Sequence, residues 1–368
     1  MQQSPKEPIC MAVRSMAFPA HRIRRHPFPW YDIIEEGLAK KTAAIQPAAR
    51  PAAEPERFCR QGARLQKRRT CFWKPVGNCR SSRSRSSCLS HHHPTLESYK
   101  EDFAMNLEDS IRSLIQTRPG TVCTVFKDLV SGGHFAINGN LCMPSASLIK
   151  LPVLAELARQ DQEGRLSLEE SIAVQQKDLA GGDGILKELA PGHRFTLREL
   201  ATLMIIVSDN TAANLLIDRL GMDAVNALDR QLGLAATRLE RKMMDRKALE
   251  EGRDNTTCAA DMAFLLESIY KGTLISPAAS GWMLQVLRRQ QQGGRLQRFL
   301  PEDVPLAHKC GDLDGIENDA GLFLFPGRPY LLVVLTSHQP DARTGQETIG
   351  LISSQVYHSF IGKEPRHG

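Results

Sequence analysis

In Pro144-Ser145-Ala146-Ser147-Leu148-Ile149-Lys150-Leu151-Pro152 a hydroxyl and an ammonium, Ser147 and Lys150, stand three positions apart at a helix start. That spacing puts both on one face, about a turn apart. A serine hydroxyl is a poor nucleophile until a neighbour takes its proton, and a lysine can take it where burial and nearby cations lower its pKa. The helix N-terminus would stabilise negative charge developing at Ser147. The residue types are common, so roughly one S-x-x-K is expected by chance in a chain this long, and a capping serine followed by a solvated lysine fits as well.

A second group is Val207-Ser208-Asp209-Asn210-Thr211-Ala212-Ala213-Asn214, where an apolar helix ends in three polar residues and another begins. Asp209 or Asn210 would cap the second helix. A cap can also present Ser208 and Asn210 into a cleft. The third group, His308-Lys309-Cys310-Gly311-Asp312, closes a strand. Gly311 leaves room for a ligand along the strand edge, and Lys309 adds positive field for Ser208 and an anionic substrate.

The elements that must position these groups are legible in the pattern. Asn106 followed by Leu107, Ile111, Leu114 and Ile115 reads as a capped amphipathic helix. Thr121–Leu129 alternates as a strand, and a Ser131-Gly132-Gly133 turn returns the chain along His134–Ile137. Helical signals then dominate residues 147–292, at Leu197–Val207, Asn210–Leu220, Met222–Leu232, Ala259–Tyr270 and Pro277–Arg289. Strands return at Leu306–Lys309, Gly321–Phe325 and Tyr330–Thr336, before a closing helix from about Gln346 to Phe360. This order predicts an α/β fold: an antiparallel sheet of about five strands from both ends of the domain, flanked by terminal helices, with a large all-helical subdomain inserted. A cleft forms naturally where sheet and helices meet.

Charge divides the chain. Residues 1–90 hold 18 Lys and Arg against six Asp and Glu, leaving 29 against 35 for the remainder, so the net +6 describes neither part. Residues 1–94 lack any sustained period and include Arg80-Ser81-Ser82-Arg83-Ser84-Arg85-Ser86-Ser87 and His91-His92-His93. Such composition buries too little surface to offset ordering entropy. The segment reads as a disordered basic extension or a misassigned start, with Met105 or a nearby codon as the true one, and the domain as residues 95–368. A targeting segment, a non-specific nucleic-acid arm and a Cys/His metal cluster are the alternatives. Nine cysteines without a C-x-x-C pair point to reduced thiols rather than a disulfide framework or zinc ribbon. No apolar run approaches the roughly 18 residues of a membrane span, which excludes a transmembrane protein. The first thirty residues carry no continuous apolar stretch of the secretory kind, so the chain as written is expected in the cytoplasm.

Taken in order, Ser147 to Lys150, Ser208-Asp209-Asn210 and Lys309-Cys310-Gly311 resemble the S-x-x-K, S-D-N and K-T-G set of class A β-lactamases and penicillin-binding proteins. SLIKLPVL, SDNTAANLLID, Thr237-Arg238-Leu239-Glu240-Arg241 and Arg253-Asp254-Asn255-Thr256-Thr257-Cys258 extend the likeness across residues 105–363. The resemblance implies a class A fold with Ser147 as the acylated nucleophile and Lys150 as its base. It makes Ser208 the proton shuttle to the leaving nitrogen, Asn210 the holder of the substrate's side-chain amide, and Lys309 the support for Ser208 and the substrate carboxylate. The backbone N–H groups of Ser147 and Asp312 would form the oxyanion hole, and Gly311 and Asp312 would flank the substrate. Arg241 and Asp254 would pair to close the loop between them.

Three departures stand out. Two residues past Arg241, where the family places its deacylating glutamate, this chain has Met243, and Asp245 is the nearest candidate base inside the loop. Lys150 as a neutral amine is the alternative base. Cys310 replaces the threonine that would hold the substrate carboxylate; its thiol is a substrate-binding candidate as a weaker and longer donor, with oxidation or simple packing as the alternatives. Asn318-Asp319 stands where many class A enzymes offer an arginine, and an acid there would repel anions. The reading is therefore a serine hydrolase forming an acyl-enzyme, with β-lactam hydrolysis foremost. Another acyl substrate on an esterase-like or peptidase-like route, a slowly deacylating penicillin-binding protein, and a catalytically idle binding module are the alternatives. A monomer acting on a small molecule is expected, with no cofactor, no metal and no specific nucleic acid.

Overall fold

The computed structural model describes residues 96–362, with side chains from Asn106 onward. The chain divides into Met1–Ser86 and Ser87–Gly368, and every described residue lies in the second unit. The expected extension or misassigned start over residues 1–94 falls outside the described residues, as do its targeting, nucleic-acid and metal alternatives.

Helix α1 (Leu96–Gln116) and strands β1 (Thr121–Asp128) and β2 (His134–Ile137) open the domain; β7 (Leu306–Leu313), β8 (Ile316–Phe323), β9 (Tyr330–Ser337) and α9 (Ala342–Phe360) close it. The five strands make one sheet in the order β2-β1-β9-β8-β7, each pair antiparallel. Every residue of β9 is buried, because α1 and α9 cover one face of the sheet and a helix of the insertion covers the other. Its apolar run Tyr330-Leu331-Leu332-Val333-Val334-Leu335 is the pattern of a strand without a solvent side. On the α1/α9 side Tyr330 stacks on Phe323, rings 4.4 Å apart, with Phe126 tilted against it, and the group packs with Ile111, Ile352 and Phe360. Burying each such side chain contributes about 1.5–3 kcal/mol.

The insertion begins with β3 (Met143–Pro144) and a 3-10 turn, Ala146–Ile149, that runs into α2 (Lys150–Gln162). Helix α2 is buried on nearly every side, as Leu151, Val153, Leu154, Leu157 and their alanine neighbours require. Helices α3 (Leu197–Ile206), α4 (Asn210–Leu220), α5 (Met222–Leu232), α6 (Arg246–Glu250), α7 (Ala259–Tyr270) and α8 (Pro277–Leu287) follow. The α4, α5 and α7 bounds coincide with the sequence reading. The insertion is mainly rather than wholly helical: β4 (Ser171–Ala173) pairs with β5 (Arg194–Thr196), and β6 (Thr256–Thr257) pairs with β3.

Other boundaries differ for physical reasons. Helix α1 begins at Leu96, so Asn106 sits inside it rather than capping it. Helix α9 starts at Ala342, where Asp341 accepts the Thr344 N–H at 2.7 Å. Strand β7 runs on to Leu313, and β8 starts at Ile316 instead of Gly321. Its polar residues Glu317, Asn318 and Asp319 are buried in the strand, each with a specific partner.

Candidate active site

Ser147 lies in the 3-10 turn, half-buried, at the wall of a cavity of about 170 Å³. Asn318 of β8 fixes that turn, its Nδ2 donating to the Pro144 carbonyl at 3.0 Å and the Ser145 carbonyl at 3.3 Å. Strand β7 comes so close that a Cβ on Gly311 would stand 2.4 Å from the Ser147 nitrogen, so only glycine fits there. Asp209 caps α4, accepting the Ala212 N–H at 2.9 Å, and leaves Ser208 and Asn210 at the joint between α3 and α4. Ala146 and Ser208, either side of the nucleophile's neighbourhood, both hold left-handed φ, +47° and +54°. Such positions cost about 1–3 kcal/mol each and persist only where surrounding structure fixes them.

The Lys150 Nζ, wholly buried, is within hydrogen-bond reach of Ser147 Oγ at 3.0 Å, Ser208 Oγ at 3.0 Å, the Ser208 carbonyl at 2.7 Å and Asn210 Oδ1 at 2.8 Å. Lys309, also wholly buried, reaches Ser208 Oγ from the other side at 3.1 Å. Ser208 thus bridges the two amines. Burial drives the Lys150 pKa well below the ordinary lysine range, and the Lys309 charge adds to the effect against the opposing fields of Asp183 and Asp209. Burial lowers Lys309 as well. A neutral Lys150 can accept the Ser147 proton across 3.0 Å, and Ser208 can pass a proton along the same chain.

The structure therefore brings Ser147, Lys150, Ser208, Asn210, Lys309, Gly311 and Asp312 together. It does not bring Cys310. That thiol lies 3.6 Å from both the carbonyl and the side-chain oxygen of Gln292, is raised in pKa by burial, and does not line the cavity. Asp245 stands apart from the Ser147 cavity as well. Its Oδ1 accepts the Ala248 N–H at 3.0 Å as the cap of α6, and the residue lines a separate cavity of about 380 Å³ with Lys177 and Asp218. Met243 and Met244 line both cavities. Arg241 does pair with Asp254, through one hydrogen bond from Nε at 2.7 Å.

The expected repulsion by Asp319 is overturned by its placement. It is wholly buried, 2.9 Å from His308 Nδ1, and accepts the Leu296 N–H. An arginine is present after all: Arg295 from the segment before β7 reaches Asp312 at 2.7 Å and Glu317 at 2.5 Å. Burial opposes its charge, but Cys310, Glu317, Asp319 and Asp312 outweigh it and raise its pKa. Sequence reading missed Arg295 because no motif surrounds it. It also missed Asn214, which exchanges two hydrogen bonds with the Met243 backbone at 2.8 and 3.1 Å, and Asp183, on the cavity wall within a Gly-rich segment that signalled only a loop. Among the described residues no cluster of three or more His, Cys, Asp or Glu is placed to hold a metal ion, and no helix is long and apolar enough to cross a membrane.

Known proteins carry the same architecture. A β-lactamase of Streptomyces lavendulae is 32% identical over 247 residues, covering 63% of this chain and 79% of that one. The crystal structure of a β-lactamase from Sphaerobacter thermophilus superposes with a TM-score of 0.66 at 32% identity, over 71% of this chain and 99% of that one. PBP-A superposes with a TM-score of 0.65 at 31% identity, covering 70% and 97%, and a mutant of PBP-A, solved as an acyl-enzyme complex with penicillin-G, does so equally. The model of the Beta-lactamase enzyme family matches residues 106–360, and this chain belongs to that family.

Proposed function

We propose that this chain is a serine β-lactamase-type hydrolase that opens the cyclic amide of a β-lactam through an acyl-enzyme on Ser147. The observation that carries the reading is Lys150: a buried amine with a depressed pKa, 3.0 Å from both the Ser147 and Ser208 hydroxyls. Ser147 Oγ attacks the ring carbonyl as Lys150 takes its proton. The C–N bond then breaks, and the ring nitrogen receives a proton through Ser208, which Lys309 holds in place. Water afterwards attacks the ester, releasing the ring-opened acid and restoring Ser147. Asn210 would hold the amide of the acyl side chain, and the Ser147 and Asp312 N–H groups the oxyanion; one such donor is worth about 3–4 kcal/mol. The positive field for a substrate carboxylate comes from Lys309, with Arg295 standing behind Asp312.

A second reading, a penicillin-binding protein that releases its acyl group slowly, is favoured by one feature. Where the family's glutamate would face the cavity, the wall carries Met243 and Met244. Intact-mass measurement after incubation with penicillin G tests both readings. A one-equivalent adduct on wild type and none on Ser147→Ala supports acylation; an unlabelled wild type or a labelled mutant overturns it. A chromogenic cephalosporin then separates steady turnover from a one-equivalent burst.

A further inference from the structure

The segment 180–186 is latched onto the start of α4 by five hydrogen bonds. The Ala180 N–H donates to Thr211 Oγ1 at 2.9 Å, and Asn210 gives its Nδ2 to the Gly181 carbonyl and its backbone N–H to the Asp183 carbonyl, at 2.9 and 3.0 Å. The Ile185 and Leu186 N–H groups both donate to Asp209 Oδ2, at 2.7 and 2.8 Å. Two glycines allow this approach. A Cβ on Gly182 would stand 2.6 Å from Asn210 Nδ2 and one on Gly184 2.4 Å from the Asp209 carboxylate, and both hold positive φ. Between them, at the only position of the three with room for a side chain, is Asp183, half-buried on the wall of the Ser147 cavity.

Charges around this cavity are distributed unevenly. Of the two acids on its wall, Asp312 is bound to Arg295, and the wall's arginine, Arg241, is bound to Asp254. The Asp183 carboxylate has neither an ion pair nor a hydrogen bond among the described residues, and it meets the buried amines of Lys150 and Lys309 through its field alone. It stands beside Asn210, on the side where the acyl substituent lies if Asn210 holds the side-chain amide. From this placement we infer that Asp183 determines specificity, selecting acyl substrates with a positive charge on the acyl side chain and rejecting those with a negative one. The inference rests on the acyl-enzyme reading above and adds the substrate's charge to it.

Three penicillins alike in nucleus and phenyl ring, but different at the α-carbon, isolate the effect: ampicillin with an ammonium, penicillin G with hydrogen, and carbenicillin with a carboxylate. At about pH 6 the ampicillin amine is protonated. Acylation kcat/KM, followed by intact mass on the full chain, is expected to fall in that order, with about tenfold or more between the extremes, as for an unscreened charge contact. Asp183→Asn should bring the three within about twofold, losing rate on ampicillin and gaining it on carbenicillin, and Asp183→Lys should invert the order. An unchanged order in Asp183→Asn, or an equal loss on all three, overturns the inference. So does unchanged acylation with accumulation of all three acyl-enzymes, which would make Asp183 a base for release. A wild type labelled by none of the three defeats the acyl-enzyme reading first and this inference with it.

Discussion

Two loops flank the nucleophile, and they are held with equal care for opposite displays. Residues 180–186 are latched to Asp209, Asn210 and Thr211, and turn the Asp183 carboxylate and Gly182 toward the cavity while Gly184 packs on Asp209. Residues 241–245 are clamped by Asn214 on Met243, by Asn255 on both the N–H and carbonyl of Arg241, and by Asp254 on the Arg241 side chain. What they turn toward the cavity is the Asp254-paired guanidinium of Arg241 and the thioethers of Met243 and Met244. Every clamp on the second loop but one engages backbone. A loop fixed in this way keeps its path whichever side chain stands at Met243, so a carboxylate placed there would stand on an unchanged scaffold.

In the proposed mechanism attack on the substrate rests on Lys150, which belongs to neither loop, and release on the wall formed by residues 241–245; the largest expected effect lies on the first. Lys150→Met should lower acylation about 10³-fold or more. In wild type the acylation rate should rise with pH as Lys150 loses its proton, and level off well below the ordinary lysine value of 10.5, because burial holds the pKa down. A rise that continues to that value would show Lys150 is not the base. On the 241–245 wall, Met243→Glu should speed decay of the acyl-enzyme about 10²-fold in a single-turnover measurement while leaving acylation alone, and Asp245→Asn should change neither. Faster decay is the outcome the intact clamps require; unchanged decay would break the contrast between the loops.

Smaller effects test the latches themselves. Gly184→Ala drives a Cβ into Asp209 at a φ of +111° and should cost about 1–3 kcal/mol by denaturant unfolding. Gly181→Ala, whose Cβ would meet only the end of Met244 at 3.9 Å, should cost almost nothing. Equal losses would mean that the latch is looser than its hydrogen bonds imply. Arg241→Ala is expected to cost about 1 kcal/mol by taking the guanidinium from the Asp254 carboxylate.

How much of this could be read beforehand depended on whether a residue's partner is local. Helices α4, α5 and α7 announce themselves by period and punctuation, and the S-x-x-K, S-D-N and K-x-G groups by an order along the chain that resembles the family's set. Strand β8 was foreshortened because Glu317-Asn318-Asp319 looks like a solvated turn. Its polarity is satisfied by Arg295, by the carbonyls of Pro144 and Ser145, and by His308. No window of local sequence contains all of those partners. Cys310 illustrates a related point, since motif spacing names its position but not that its thiol meets Gln292. Asp183 and Arg295 belong to no motif, and only the folded chain shows which of them stands at the cavity and which stands behind it.

The pairing of β1 with β9 joins residues 121–128 to residues 330–337. A growing chain emerges at about 5–20 residues per second, so β1 waits on the order of ten seconds or more before its neighbour exists. Until then the hairpin formed with β2 has a bare edge, and neither the Asn318 brace nor the β7 edge is available to the Ser147 turn. The nucleophile is made early and armed late: a chain that stops short of β8 lacks both the Asn318 brace and the paired strand that fix the Ser147 turn.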